Sequence, residues 1–385
     1  EDADDKGTDG DYSWYKWTDT GATGSYDNDT TQDHEYLIVG GGGSGGEDNA
    51  GGGAGGGVLA ATGLSLTGGN EYTVTIGAGG ASVGASSVGN DGGDSILSGT
   101  GITTLTAGGG GYGGINASAG GAGSATNGNG GGGGYQAAGG AGDGAGFDGG
   151  TQSTGSPAYG GGGGAGAAEN GEAGTASNGG DGGDGVANDI IETGTNVYYA
   201  GGGGASAANT QGACGAAGNG GGGAGDRSGG AGAAINGTAN TGGGGGGSTG
   251  STNVTGAGGS GIVILRRLTS LISGGADLTL QSTDVTATAE PDYGEFVTLI
   301  ENAYGTATLN TDIKGYVSRD SGTTFTQGTL VDEGSWGTNK KVLGFHDLDI
   351  SAQPSGTSMC YKITTHNQST SSKETRIYAT SIGWR

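Results

Sequence analysis

This chain of 385 residues is poor in most of the residue types that stabilise ordinary domains. It has two cysteines, three prolines and one methionine, and aromatic residues make up 6% of it. Cys214 and Cys360 lie far apart, which argues against a disulfide framework or a zinc motif and favours two isolated thiols. No apolar run approaches the roughly 20 residues of a membrane-spanning helix, so we expect no membrane insertion.

Basic residues are scarce as well. The chain has 13 Lys and Arg against 38 Asp and Glu, a formal net charge of −25. Between Gly40 and Gly261, Arg227 is the one basic residue beside 14 acidic residues. A surface of this charge repels phosphate groups, so we expect no nucleic-acid partner. The chain begins with Glu1 rather than Met, and we expect its true N-terminus to lie upstream.

Glycine is what the chain has instead, since 88 of its 104 glycines lie in the 222 residues from Gly40 to Gly261. Ordering a residue costs roughly 1–2 kcal/mol of backbone entropy, and glycine offers no apolar side chain to offset that cost. If this tract folds, its stability must come from a source other than side-chain packing.

Hydrogen bonding between bare backbones is the source that we predict. In the polyproline II conformation the chain has three residues per turn, rises about 3.1 Å per residue and forms no internal hydrogen bonds. Glycine segments in this conformation, called polyglycine II, can pack side by side because no Cβ blocks their approach. The alternative is irregular coil over a β core. The predicted rungs are Gly41–Gly43, Gly108–Gly111, Gly130–Gly134, Gly160–Gly164, Gly201–Gly204, Gly220–Gly223 and Gly242–Gly247.

Composition divides the chain into an acidic N-terminal extension (1–35), a glycine-rich domain (36–267) and a C-terminal β domain (268–385). The apolar runs Glu35–Val39 and Gly261–Arg267 enter and leave the tract, and we expect them to pair as strands. Further short strands predict a small β-sandwich in the N-terminal part of the glycine-rich domain. The predicted fold is therefore all-β with a polyglycine II region, a C-terminal β-sandwich or jelly roll, and essentially no α-helix.

Aromatic residues near the ends of glycine runs are the candidate binding residues. A flat glycine lattice with loops at one end would present tyrosine beside Asn, Ser and Asp, a mixture suited to sugars and to varied protein surfaces. The alternative is that these rings cover exposed lattice edges. The candidates are Tyr112, Tyr135, Phe147, Tyr159 and Tyr199.

Calcium is the one metal that the sequence suggests, and no other cofactor is expected. Gly179–Ala187 fits a nonapeptide calcium-binding pattern, with Asp181 and Asp184 as the candidate ligands. Gly89–Leu97 fits the same pattern except at Asn90. Calcium-binding repeats normally occur in tandem, whereas these two matches stand apart. Aspartates in glycine turns also accept backbone hydrogen bonds, and that interpretation remains open.

No motif points to catalysis. The three histidines are scattered along the chain, and the many GxGxxG matches arise by chance in so glycine-rich a tract. No pair of carboxylates stands out for glycan hydrolysis, so we expect no enzyme. Ice binding is a remote alternative, because it requires Thr or Ala rows at a three-residue period and the spacers here are irregular.

Two ordered series of motifs resemble known virion proteins. The first comprises Tyr36-Leu-Ile-Val-Gly-Gly-Gly, Tyr72-Thr-Val-Thr-Ile-Gly-Ala-Gly-Gly, Asn90-Asp-Gly-Gly-Asp-Ser and Gly258-Gly-Ser-Gly-Ile-Val-Ile. It resembles the glycine-rich domains of phage tail-fibre proteins and adhesins. The second includes Val317-Ser-Arg-Asp-Ser-Gly-Thr-Thr-Phe-Thr and Gly334-Ser-Trp-Gly, and resembles a β domain recurrent in phage virion proteins.

The resemblance implies a non-enzymatic fibre or adhesin on the virion surface that attaches to a host-surface glycan or outer-membrane protein. It also implies other virion proteins as partners and a homo-oligomer such as a trimer. A head decoration fibre and a cellular surface filament, neither with a receptor role, are the alternatives.

Overall fold

The computed structural model describes residues 2–84, 86–124, 126–152, 160–207, 212–227, 233–250, 254–269, 277–368 and 373–385. The chain divides into two compact units, Glu1–Thr269 and Ser270–Arg385. Across the described ranges every regular element is a β-strand and none is a helix, which confirms the predicted all-β class. This part of the chain accordingly contains no helix that could span a membrane.

The first unit is built on a β-sandwich. One sheet has the strand order β1-β2-β11-β4-β5 and the other the order β3-β6-β7-β8, while β9 and β10 form a separate hairpin. Apolar side chains from both sheets, among them Ile38, Tyr72 and Val263, form the core between them. The strands are β1 (Asp5–Asp9), β2 (Tyr12–Trp17), β3 (Gly24–Asn28), β4 (Gln32–Val39), β5 (Val58–Leu66), β6 (Asn70–Thr75), β7 (Ser95–Gly99), β8 (Leu105–Ala107), β9 (Val186–Asn188), β10 (Val197–Tyr199) and β11 (Ile262–Leu268).

The acidic segment 1–35 is part of this sandwich, which corrects the prediction of a separate N-terminal extension. It supplies β1, β2, β3 and the first residues of β4. The physical reason lies in its aromatic residues, because Tyr15, Trp17 and Tyr26 are buried in the sandwich core. The acidic composition of the segment predicted an exposed extension, although its aromatic residues are part of the core.

The two apolar runs that bracket the glycine tract pair as predicted. β4 and β11 lie antiparallel in adjacent positions, with Val39 opposite Ile262 and Leu37 opposite Ile264. The tract therefore begins and ends at the same place, at one end of two adjacent inner strands of the sheet.

Residues 40–47 continue from β4 into the glycine tract and show a three-residue repeat in their hydrogen bonds. The N–H groups of Gly40, Gly43 and Gly46 donate to residues 57, 54 and 51. Those of residues 41, 44 and 47 donate to 93, 90 and 87, and those of 42 and 45 to 259 and 256. Successive residues thus face three neighbouring segments in turn, which is the geometry of polyglycine II.

This central segment has six neighbours, three reached by donation and three by acceptance. Its carbonyl groups accept hydrogen bonds from Gly80, from Gly110 and Gly113, and from Gly245 and Ser248. At each residue from Gly40 to Gly43, an added Cβ would lie 2.1–2.3 Å from a carbonyl oxygen of a neighbour. Glycine is therefore required here by the close approach of backbones, as the lattice interpretation predicts.

Polar side chains accept hydrogen bonds from backbone N–H groups at the lateral boundary of the lattice, where no further glycine segment of the described residues is present to accept them. Asp91 Oδ1 accepts a hydrogen bond from the Tyr112 N–H at 3.0 Å, and Asp94 Oδ1 accepts one from the Gly109 N–H at 2.9 Å. Asp91 and Asp94 are three residues apart, and so are Gly109 and Tyr112. The two carboxylates therefore occupy the positions that carbonyl groups of another lattice segment would take. This role accounts for Asp91 and Asp94 among the acidic residues of the glycine tract.

The second unit is a two-sheet β-sandwich, as predicted. One sheet has the order β12-β19-β15-β16 with β13 also paired to β19, and the other has the order β17-β18-β14-β20. Phe296, Phe345 and Ile363 are among the side chains of its buried core. Its strands are β12 (Thr279–Gln281), β13 (Val285–Thr286), β14 (Tyr293–Tyr304), β15 (Ile313–Ser318), β16 (Thr326–Gly328), β17 (Val331–Gly337), β18 (Lys340–Asp349), β19 (Ser358–Thr365) and β20 (Glu374–Trp384). Cys360 in this unit and Cys214 in the first are both free thiols.

Candidate functional site at the end of the glycine lattice

The glycine lattice ends in turns on the side away from the sandwich. The central segment leaves β4 at Val39 and reaches its turn at Asp48 and Asn49, about 28 Å further on at 3.1 Å per residue. We call the turns at residues 47–50, 115–118 and 134–137 the distal turns. They meet one another, because the Tyr135 N–H donates to the Asn49 carbonyl and the Asn116 N–H donates to the Asp48 carbonyl.

Non-glycine residues with positive φ form these turns. The φ angles are 91° at Asp48, 50° at Asn49, 39° at Asn116 and 57° at Gln136. Asn and Asp tolerate this conformation better than most residues because their short polar side chains can hydrogen-bond locally. The Asn and Asp spacers between glycine runs therefore reverse the chain, as the sequence predicts.

The side chains of the distal turns form two hydrogen-bonded sets, which the backbone bond from the Tyr135 N–H to the Asn49 carbonyl joins. Asp48 Oδ2 accepts a hydrogen bond from Asn116 Nδ2 at 2.8 Å, and Asp48 Oδ1 accepts one from Asn49 Nδ2 at 3.1 Å. Gln136 Nε2 donates to the Tyr135 hydroxyl at 3.0 Å. A carboxylate, three amides and a phenol ring thus lie on one end of the lattice, where they provide donors, acceptors and an aromatic face.

Glu47 anchors a further turn to this end of the lattice. Its side chain is fully buried, and one carboxylate oxygen accepts a hydrogen bond from the Ser86 N–H. The Glu47 N–H donates to the Ser87 carbonyl, so backbone and side chain hold the same turn. The buried carboxylate and the backbone together fix the position of the neighbouring turn.

The predicted aromatic residues do not form one surface. Tyr135 is half-buried in the distal turns. Tyr112 is half-buried on the flank of the lattice, and its aromatic ring is the nearest side chain to Gly121. Phe147 is near the sandwich end, where its carbonyl accepts a hydrogen bond from the Gly130 N–H. Tyr159 lies outside the described residues.

Tyr199 is buried against the sheet, which corrects the prediction that it is a binding residue. It is only 3% exposed and packs with Leu37, Ile262 and Ile264 of the sheet. Burial also raises the pKa of its hydroxyl. Tyr199 ends strand β10, and the packing of this hairpin on the sheet turns its ring inward.

Asp181 and Asp184 accept backbone hydrogen bonds, the second of the two roles that their sequence allows. Asp181 Oδ1 accepts from the Ala216 N–H at 2.7 Å, and Asp184 Oδ1 accepts from the Asn219 N–H at 2.8 Å. Asn178 Oδ1 accepts from Ala213 in the same way, at 3.0 Å. Within the described ranges, no three His, Cys, Asp or Glu side chains come together in a group that could hold a metal ion.

Asp48, Asn49, Asn116 and Gln136 are residues of the distal turns that the sequence did not predict. For Asp48 and Asn49 the signal was the interruption of a glycine run by Glu47-Asp48-Asn49, where consecutive polar residues separate two segments. Among the predicted aromatic residues that the structure describes, only Tyr135 belongs to this group.

Comparison with curated proteins and with solved structures found no match to this chain. Residues 18–267 match a family model described as a glycine-rich domain, a span that includes the sandwich strands β3 to β11 and the glycine lattice. The chain therefore belongs to the glycine-rich domain family.

Proposed function

We propose that this protein is a non-enzymatic component of a bacteriophage surface fibre and that its distal turns contact the host surface. The observation that carries the proposal is the lattice itself. A scaffold with six backbone-bonded neighbours around its central segment holds one group of polar and aromatic side chains at the end opposite the sandwich. The virion location rests on the resemblance of the ordered motifs to phage fibre proteins.

The composition of the distal turns supports a binding role. Asp48, Asn49, Asn116 and Tyr135 are half-buried and Gln136 is exposed, so the group is held in place yet accessible. A pre-ordered surface loses little conformational entropy on binding, which favours affinity. A glycan or an outer-membrane protein of the host is the proposed receptor, and a homo-oligomer with other virion proteins is the proposed assembly.

The test has two parts, location and competition. Gold-labelled antibodies against the purified full chain should mark fibres of virus particles from the source of the gene. The purified chain should also slow adsorption of those particles to their host. The Tyr135→Ala variant should need at least about tenfold more protein for the same inhibition.

Tyr112→Ala is the matched control, because it removes the same ring from the flank of the lattice. It should inhibit adsorption as the unchanged protein does, with circular dichroism showing that both variants are folded. Label on cell surfaces rather than particles would overturn the proposal in favour of a cellular filament. Label on the head without competition would favour a decoration fibre.

A further inference from the structure

Strand β20 forms one edge of the sheet β17-β18-β14-β20 in the second unit. Its last part, Ala379–Trp384, pairs with β14 residue by residue, because the register shifts of this pair lie earlier in the strand. This segment contains no charged residue and no proline. A regular, uncharged edge of this kind is open to pairing with a further strand.

The opposite edge of the same sheet is protected against such pairing. Strand β17 carries the carboxylates of Asp332 and Glu333, and its pairing with β18 shifts twice in register. Charged side chains and bulges are common means by which edge strands avoid adding a strand. The lack of both in Ala379–Trp384 therefore distinguishes β20 from β17 within one sheet.

The backbone of β20 presents unpaired groups along this edge. Alternate residues of an antiparallel strand bond to its neighbour, and those between them direct their N–H and C=O groups to the other side. Arg385 and Tyr293 exchange both of their hydrogen bonds, each 3.1 Å long. Counting back from Arg385 in the register, the outward groups belong to Trp384, Ile382 and Thr380. Within the described residues, the N–H and C=O groups of these three make no other hydrogen bond.

The side chains of the segment leave room for a strand beside it. On the outer face of the sheet, Ala379 and Ser381 are small and exposed, and Gly383 has no side chain. The larger side chains point to the other face, where Thr380 Oγ1 lies 3.0 Å from Thr298 Oγ1 and Ile382 packs against the core. A strand that approaches the edge therefore meets backbone before it meets bulky side chains.

We propose that Ala379–Trp384 pairs antiparallel with the same segment of a second copy of this chain. With Ile382 opposite its own copy across a two-fold axis, Thr380 lies opposite Trp384 on either side. Each of these three pairs exchanges two hydrogen bonds, which satisfies all the outward groups of both strands.

Charge favours a second copy as the partner. The nearest charged residue, Arg385, lies opposite Ala379 of the other copy, so no like charges face each other in the pair. A two-fold axis is also the commonest symmetry of homo-oligomers. The proposal rests on the proposed function only in that it gives the homo-oligomer a surface, and it is independent of the attachment role of the distal turns.

Analytical ultracentrifugation of the full chain at micromolar concentrations should show a reversible equilibrium between monomer and dimer. Ser381→Lys should weaken the dimer at least about tenfold, because it places two ammonium groups on the same face of the paired strands. Hydrogen exchange at single-residue resolution gives a second measurement without a variant. The amides of residues 380, 382 and 384 should exchange more slowly as the concentration rises, with those of residues 379, 381 and 383 as the internal reference.

Ser335→Lys is the matched control, because Ser335 is exposed on β17 and receives the same charge at the opposite edge of the sheet. It should form the dimer as the unchanged protein does. The proposal fails if the full chain stays monomeric, if the dimer persists in Ser381→Lys, or if both variants lose it equally. A trimer would also overturn it, since pairing across a two-fold axis closes with two copies. Adsorption competition by Ser381→Lys reports separately on the distal turns.

Discussion

A single methyl group at Gly43 tests the glycine lattice directly. The Gly43 N–H donates to Ala54 at 2.8 Å, and its carbonyl accepts from Gly245 at 2.9 Å. In Gly43→Ala, the new Cβ would lie 2.3 Å from the Gly111 carbonyl oxygen and 2.7 Å from its carbon. An ordinary contact then requires the central segment and residues 108–114 to separate by about 1 Å.

That separation acts on the two hydrogen bonds that join these segments, from Gly110 to Gly41 and from Gly113 to Ser44, both 2.9 Å long. Each contributes about 1 kcal/mol net, and overpacking costs about 1–3 kcal/mol more. The entropy that alanine removes from the unfolded chain returns only about 0.4–1 kcal/mol. We expect Gly43→Ala to lower the free energy of unfolding of the first unit by about 3 kcal/mol and its Tm by roughly 10 °C.

Calorimetry and hydrogen-exchange mass spectrometry on the full chain measure this effect. Gly84→Ala is the control, because a Cβ at Gly84 meets nothing within 4 Å. It should change stability by at most about 0.5 kcal/mol. Amides of residues 40–57 and 108–114 should exchange faster in Gly43→Ala, while those of the second unit serve as an internal reference. Equal stability and equal exchange in the two variants would refute a lattice held by close backbone contact.

Two further predictions concern single side chains. His34 is buried, with its Nδ1 3.1 Å from the Gln32 carbonyl oxygen and its Nε2 2.9 Å from the Tyr26 hydroxyl. Burial is the main cause that lowers the pKa of His34 to about 4. In the unfolded chain the pKa of His34 is about 6.5, so the stability that neutral His34 contributes should be complete above that pH and lost as the pH falls through 4. An NMR titration of His34 with a midpoint above 6 would contradict this. Asp184→Ala should speed exchange of the Asn219 amide and cost about 1 kcal/mol, whereas Asp184→Asn should retain the bond. Calorimetric binding of millimolar calcium that disappears in Asp184→Ala would show that Asp184 is a calcium ligand instead.

The sequence predicts those parts of the fold in which apolar side chains mark a position. β4 and β11 are short apolar runs at the two ends of the tract, and their pairing follows from that placement. The sandwich of the second unit follows from alternation in segments such as β14. Where side chains alternate between a buried and an exposed face, the pattern carries enough information to place the strand.

The neighbours within the lattice cannot be predicted in the same way, because one glycine run resembles another. Only occasional side chains distinguish them, such as Ser206, whose hydroxyl accepts a hydrogen bond from the Ala50 N–H at 2.7 Å. The same ambiguity affects the candidate site. Tyr135 and Tyr199 both adjoin glycine runs, yet one lies in a turn and the other packs beneath a sheet. The two tyrosines differ in burial because different strands and turns lie beside each glycine run in the folded chain.

The common location of both ends of the glycine tract has a mechanical consequence. β4 and β11 pair side by side, so tension between the two ends of the tract is carried by strand pairing at the sandwich and bypasses the lattice. A pull between the distal turns and the sandwich instead runs along the polyglycine II segments, whose hydrogen bonds lie across that direction. Such a load shears many bonds together instead of peeling them one by one. Resistance to the pull would then increase with the length of the segments, which additional glycine triplets would extend.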